Sequence, residues 1–151
     1  VAERVVLGIV LVACGAIILA AVTAFGMTKE RTGVRDLTLG DTHIVVSVVA
    51  TSAALQKGLS GASPLAPHNG MLFVFEKPGP QPMWMKDMKF SLDILWLDEN
   101  KQVVHIEEHL ASETYPKTFA SPHPAKYVLE LPSGTVASEH IAIGALAAFS
   151  L

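Results

Sequence analysis

Several groups of side chains in this sequence have the types and spacing that could do chemistry. His105-Ile106-Glu107-Glu108-His109 fits H-x-x-E-H, the inverted zincin pattern, in which two imidazoles one helical turn apart share a zinc ion. Here the motif continues from Val103-Val104 after a turn, so at least its start reads as a strand. Four residues of strand hold the two His about 13 Å apart, and no metal site is expected. Met83-Trp84-Met85-Lys86-Asp87-Met88 sets three thioethers beside an indole, a soft donor set that suits Cu(I) or Ag(I). Strand alternation offers a plainer reading, with the methionines filling gaps in a core. Asp87 and Asp93 could form the acid/base pair of a small hydrolase or carbohydrate-active enzyme, or Asp93 could accept hydrogen bonds from loop backbone.

Trp84, Met85, Lys86, Asp87 and Asp93 together make the best candidate binding surface. An indole platform, a cation and carboxylates suit a polar ligand or a peptide segment. The same residues could instead form a Lys86–Asp93 salt bridge that locks a hairpin under Trp84. No catalytic residue is assigned. There is no G-x-S-x-G, since Gly58-Leu59-Ser60-Gly61-Ala62 lacks the final Gly, and no phosphate loop or dinucleotide fingerprint, so no cofactor is expected. The lone Cys14 sits in an apolar run, which leaves the rest of the chain without a disulfide, a thiolate nucleophile or a cysteine-based zinc site.

The elements that must position these groups are short. His43–Val49, Met71–Phe75, Leu92–Leu97, Gln102–Ile106, Lys126–Leu131 and Ala145–Leu151 are apolar-rich and of strand length, separated by clusters of Pro, Gly, Asn and Asp. Lys126 to Leu131 alternates, which puts Tyr127, Leu129 and Leu131 on one face and Lys126 and Glu130 on the other. Asp98-Glu99-Asn100-Lys101 predicts a hairpin turn. One helix is predicted, capped by Thr51 or Ser52, carried by Ala53 to Lys57 and ended by a left-handed Gly58. Short strands with a single helix predict a mainly β fold, a compact antiparallel sandwich, jelly roll or barrel.

Charge and hydropathy are unevenly spread over the 151 residues. Mean hydropathy is +0.42, yet Val5 to Phe25 alone form a 21-residue run with no charge, enough as a helix to cross roughly 30 Å of hydrocarbon. The expected organisation is residues 1–26 as a transmembrane anchor or signal segment, 27–35 as a linker, and 36–151 as a single β domain. A cleaved signal ending near Val22-Thr23-Ala24 and a lipobox-like Leu11-Val12-Ala13-Cys14-Gly15 are the alternatives to an anchor at residues 5–25. Lys29, Arg31 and Arg35 after the run outnumber Arg4 before it, which by itself favours a cytoplasmic domain. With 11 basic against 14 acidic residues, no nucleic-acid surface is announced.

In order along the chain, Gly70-Met71-Leu72-Phe73-Val74-Phe75, Trp84-Met85-Lys86-Asp87-Met88, Leu92-Asp93-Ile94 and Tyr127-Val128-Leu129-Glu130-Leu131-Pro132-Ser133-Gly134 resemble the family known as domain of unknown function 192. Thr51 to Leu59 resembles its upstream T-x-x-x-x-x-x-G-L-M stretch, with Ser60 in place of the Met. The resemblance implies a compact β domain, often exported or anchored in bacteria and archaea, with no established activity. It therefore draws the expected location to the extracytoplasmic side. Asp87 replaces a usual Asn, Ser91 a usual Pro, and Gly144-Ala145 a usual Gly-Asp. If the Asn amide or the terminal Asp serves a ligand, this member has lost or changed it. The resulting expectation is a membrane-tethered, non-catalytic accessory module that binds a small ligand or a protein.

Overall fold

The computed structural model describes residues 33–151. The expected anchor and signal features fall outside them. Among the described residues no helix is long and apolar enough to cross a membrane. Arg31–Leu151 forms one compact unit.

The chain begins with an antiparallel hairpin, β1 (Gly33–Leu39) and β2 (Thr42–Val49), joined by Gly40-Asp41 with Gly40 at φ 60°. Strand structure thus starts three residues inside the predicted linker. GVRDLTL has few apolar side chains and reads as polar linker, yet only Leu37 and Leu39 need to face the core. Helix α1 (Ser52–Lys57) follows. Thr51 Oγ1 accepts from Ala54 N at 3.3 Å as predicted, whereas Gly58 ends the helix at φ 47° and ψ −132°, a positive-φ geometry other than the left-handed helical one. Then come β3 (Asn69–Gly79), β4 (Met83–Trp84), β5 (Leu92–Leu97), β6 (Val103–Leu110), a 3-10 turn (Ser112–Thr114) and β7 (Thr118–Phe119). The chain closes with β8 (Ala125–Pro132), helix α2 (Thr135–Ser138) and β9 (Ala147–Ala148).

Seven strands form one curled sheet in the order β6-β5-β8-β3-β2-β1-β9, and β4 pairs with β7 as a separate ribbon. The fold is mainly β as expected, and of the expected forms the single curled sheet is a half-barrel instead of a two-sheet sandwich or jelly roll, with a second short helix. The sheet is also mixed, because β2 and β3 run parallel. Parallel neighbours need a crossover of a dozen or more residues, and the stretch from Ala50 to His68 carrying α1 is that crossover. At one end the sheet edges meet: Val103 N donates to Ala145 O at 2.9 Å and Ala147 N to Lys101 O at 3.0 Å. Asp98 Oδ1 accepts from Asn100 N and Gln102 N, fixing the predicted β5–β6 turn.

The central strands are buried on both faces. Inside the curl lie Ile44, Val46, Leu72, Leu95, Leu129 and Leu131. On the outer face Phe73, Ile94, Trp96 and Val128 are covered by Leu59, Met83, Met85 and Phe119. Each such side chain, fully buried, contributes about 1.5–3 kcal/mol. The outer layer comes from the crossover and from the β4–β7 ribbon, so the second face of β8 is interior rather than solvent.

Candidate functional site

The strand β4 alternates tightly. Met83 and Met85 point inward, at 8% and 1% exposure, while Trp84 between them is 40% exposed. Its indole meets Tyr115 edge-on, with ring centroids 6.5 Å apart. Beside it runs an apolar groove of about 330 Å³ walled by Leu55, Phe75, Pro82, Met83, Trp84 and Thr118. Trp96, the other indole, is fully buried and donates Nε1–H to Gln81 O at 2.9 Å.

Beneath α1 the groove's neighbours enclose a smaller pocket of about 20 Å³ that shares Leu55, Gln56, Met83 and Trp84 with it. Its walls also include Lys57 to Ser60 at the end of α1, and Phe73, Met88 and Glu130. Glu130 is only 4% exposed, and its Oε2 is buried with no hydrogen-bond partner. Its backbone pairs with Met71 on β3 and Ile94 on β5, so its carboxyl emerges among apolar side chains. Burial without a compensating partner pushes this carboxyl up to about 8, leaving it mostly protonated near neutral pH. The alternation of β8 predicts Glu130 as a solvent-facing residue; the covered outer face makes it interior. Val128 is the available signal, an apolar residue on that same face.

Close backbone approach builds the pocket. A Cβ on Gly58 would stand 3.1 Å from Phe73 Cζ, and one on Gly70 would stand 2.8 Å from Glu130 O. The end of α1 is tied to the loop after β4 by Ser60 Oγ–H donating to Lys86 O at 2.8 Å and Gly61 N to Asp87 O at 2.9 Å. Motif segments far apart in sequence therefore converge here: the α1 stretch, Phe73 of the Gly70–Phe75 strand, Trp84 to Met88, and Glu130.

The predicted surface is divided by the fold. Trp84 stands at the groove, and Lys86 and Asp87 are exposed on the adjoining loop. Asp87 sits at φ 55°, a backbone region that Asn and Asp enter more readily than most residues. Met85 belongs to the core. Asp93 is fully buried, with Oδ1 accepting from His109 N and Oδ2 from Val136 N, both at 2.9 Å. It holds β5, β6 and the first turn of α2 together, and it makes no ion pair with Lys86 among the described residues. His105 and His109 both lie on β6, where His105 Nε2 is 3.3 Å from Glu107 Oε1 and His109 Nδ1 is 2.8 Å from Ser133 Oγ. Among the described residues no group of three or more His, Cys, Asp or Glu side chains could hold a metal ion.

A search of curated proteins finds no match. Among solved structures, a Sinorhizobium meliloti 1021 protein described as a candidate transcription regulator is 26% identical and superimposes with a TM-score of 0.74, over 80% of this chain and 97% of its own. A protein of unknown function from Novosphingobium aromaticivorans DSM 12444 is 23% identical, with a TM-score of 0.72 over 81% and 89%, a likeness of fold. The sequence pattern of domain of unknown function 192, described as uncharacterized ACR, matches residues 35–149, and the chain belongs to that family.

Proposed function

We propose that this chain is a membrane-tethered, extracytoplasmic, non-catalytic binding module, and that its ligand seat is the pocket under α1 together with the Trp84 groove. The observation that carries this reading is Glu130: a buried carboxyl with an unpartnered oxygen, in the wall of a pocket on which separate motif segments converge. A polar group buried without a partner costs free energy, and a ligand that supplies the partner recovers it. Residues 5–25 supply the tether, and the resemblance to exported domains supports the outward orientation.

Catalysis by Asp87 and Asp93 is disfavoured, because both oxygens of Asp93 are occupied by backbone amides. Soft-metal binding by the whole methionine cluster is disfavoured by the burial of Met85 in the core beside Phe73 and Trp96. The description of the Sinorhizobium relative raises gene regulation. Here the longest helix among the described residues is α1, of six residues, and acidic residues outnumber basic ones, which does not favour a DNA-reading surface.

The test is native mass spectrometry of the full chain purified from its host's membranes. The native protein is expected to carry a bound small molecule that Thr118→Arg, at an exposed position on the groove wall, displaces. Identical spectra from both would refute the seat. Protease added to intact cells should remove the domain, and protection would refute the orientation.

A further inference from the structure

The two adjoining spaces differ in kind. The pocket at Glu130 has room for about one water-sized group, since a single water needs roughly 10–15 Å³ of such volume. The groove beyond it is mostly aliphatic, aromatic and thioether, with Gln56 and Thr118 as its polar lining residues and no charged side chain. Its 330 Å³ is more than ten times the volume of the pocket, room for an extended chain where the pocket takes a single group. The two adjoin, with Leu55, Gln56, Met83 and Trp84 common to both linings.

Electrostatics limits what the head of that molecule can be. The groups packed against Glu130 from β3 and β5 are Met71, Phe73 and Ile94, and from the β4 region Met83 and Met88, all without charge. Lys57 of α1 is the other charged residue on the pocket wall, and it forms no ion pair with the carboxyl. A charged head would have to be stripped of water beside a neutral carboxyl, and Lys57, the charged wall residue, is solvent-exposed, so neither sign of charge finds a buried counter-charge. An uncharged oxygen needs no such compensation. It can accept a hydrogen bond from the protonated carboxyl, or as a hydroxyl also give one to Oε2.

We infer that the seat takes an uncharged amphiphile, one hydroxyl or carbonyl oxygen against Glu130 and a slender apolar body along the Trp84 groove. This inference rests on the binding-module reading and adds the ligand class. Recognition is by shape and a single polar contact, and for a carbonyl, which can only accept, it weakens in alkaline solution as the carboxyl ionises.

The fragment 31–151 suits the test, since it is one compact unit and a solved relative is covered over 97% of its own length. Trp84 is the responsive fluorophore, because Trp96 is buried with its Nε1–H already bonded. The probes are 2-alkanones from six to twelve carbons, whose oxygen can only accept a hydrogen bond, with decylammonium and decanoate as charged controls. Affinity for the alkanones is expected to rise about three- to fourfold per methylene and level off once the groove is filled. Binding of 2-decanone should be constant from pH 5 to 7 and fall toward tenfold per pH unit above about 8. Glu130→Gln should keep decanone binding and abolish its pH dependence, because the amide still donates. Tighter binding of decylammonium or decanoate, or an unchanged pH profile in Glu130→Gln, overturns the uncharged head while leaving the seat intact. Binding that Thr118→Arg does not weaken, or no binding by any of the three probe types, overturns the seat itself.

Discussion

Replacing Glu130 with Gln removes one ionisable group from the protein's interior and changes little in volume, so its effect on stability should depend on pH in a calculable way. In the unfolded chain this carboxyl titrates near 4.5; in the folded domain burial holds it at about 8. Between those values the unfolded state has released a proton that the folded state keeps, so the contribution to stability falls as pH rises. Below about 4.5 both states are protonated and the group is silent; above about 8 both are ionised and the penalty is constant. With 1.36 kcal/mol per unit, the native protein should lose about 3 to 4 kcal/mol relative to Glu130→Gln between pH 5 and pH 8. The glutamine amide is itself partly unsatisfied, which adds an offset of about 1–3 kcal/mol, but that offset does not vary with pH. Urea denaturation of both proteins at unit intervals from pH 5 to 9 measures the difference, and the other carboxylates cancel between them. A difference that stays flat across this range would show that Glu130 is charged in the fold, and the argument for an unpartnered neutral carboxyl would collapse.

Two further expectations follow from side chains whose roles the fold reveals. Asp93→Asn leaves one oxygen to serve two amides and turns an N–H toward another N–H; about 2–4 kcal/mol of stability should be lost in chemical denaturation with ligand affinity unchanged, whereas lost activity at full stability would revive Asp93 as a catalyst. Thr51→Ala removes the cap of α1, which has no fully buried residue of its own, and should cost about 1 kcal/mol while accelerating amide hydrogen exchange at residues 52–57; unchanged exchange there would show that the cap does not hold the helix.

What could be read from the sequence was mostly local. β5 spans the predicted Leu92–Leu97 because its apolar run is unbroken and bounded by turn residues, and α1 keeps its predicted cap because Thr51 has the right side chain at the right offset. The hairpin at Asp98 holds for the same reason. Glu130 is different: its burial depends on α1 and β4, dozens of residues away, closing over a face that alternation alone assigns to solvent. The same long-range layer turns β2 and β3 parallel, since nothing within either strand encodes its neighbour's direction. Asp93 shows the converse. Its type suggested chemistry or packing equally, and only the positions of two amides, on β6 and α2, decide that it is a fastener.

The seam that joins the sheet's edges has consequences for how the protein is made. The last strand, β9, which lies beside that seam, also pairs with β1, Leu39 with Ala147 more than a hundred residues later, so it ties the two ends of the domain together. On a ribosome or a translocation channel, which releases the chain from its N-terminal side, the β1–β2 hairpin must wait with one edge bare until β9 arrives. During that interval its unpaired amides invite pairing with another copy. A nascent chain of this protein is thus a natural client for a chaperone, and a C-terminal truncation before residue 145 should yield inclusion bodies in place of a smaller folded domain.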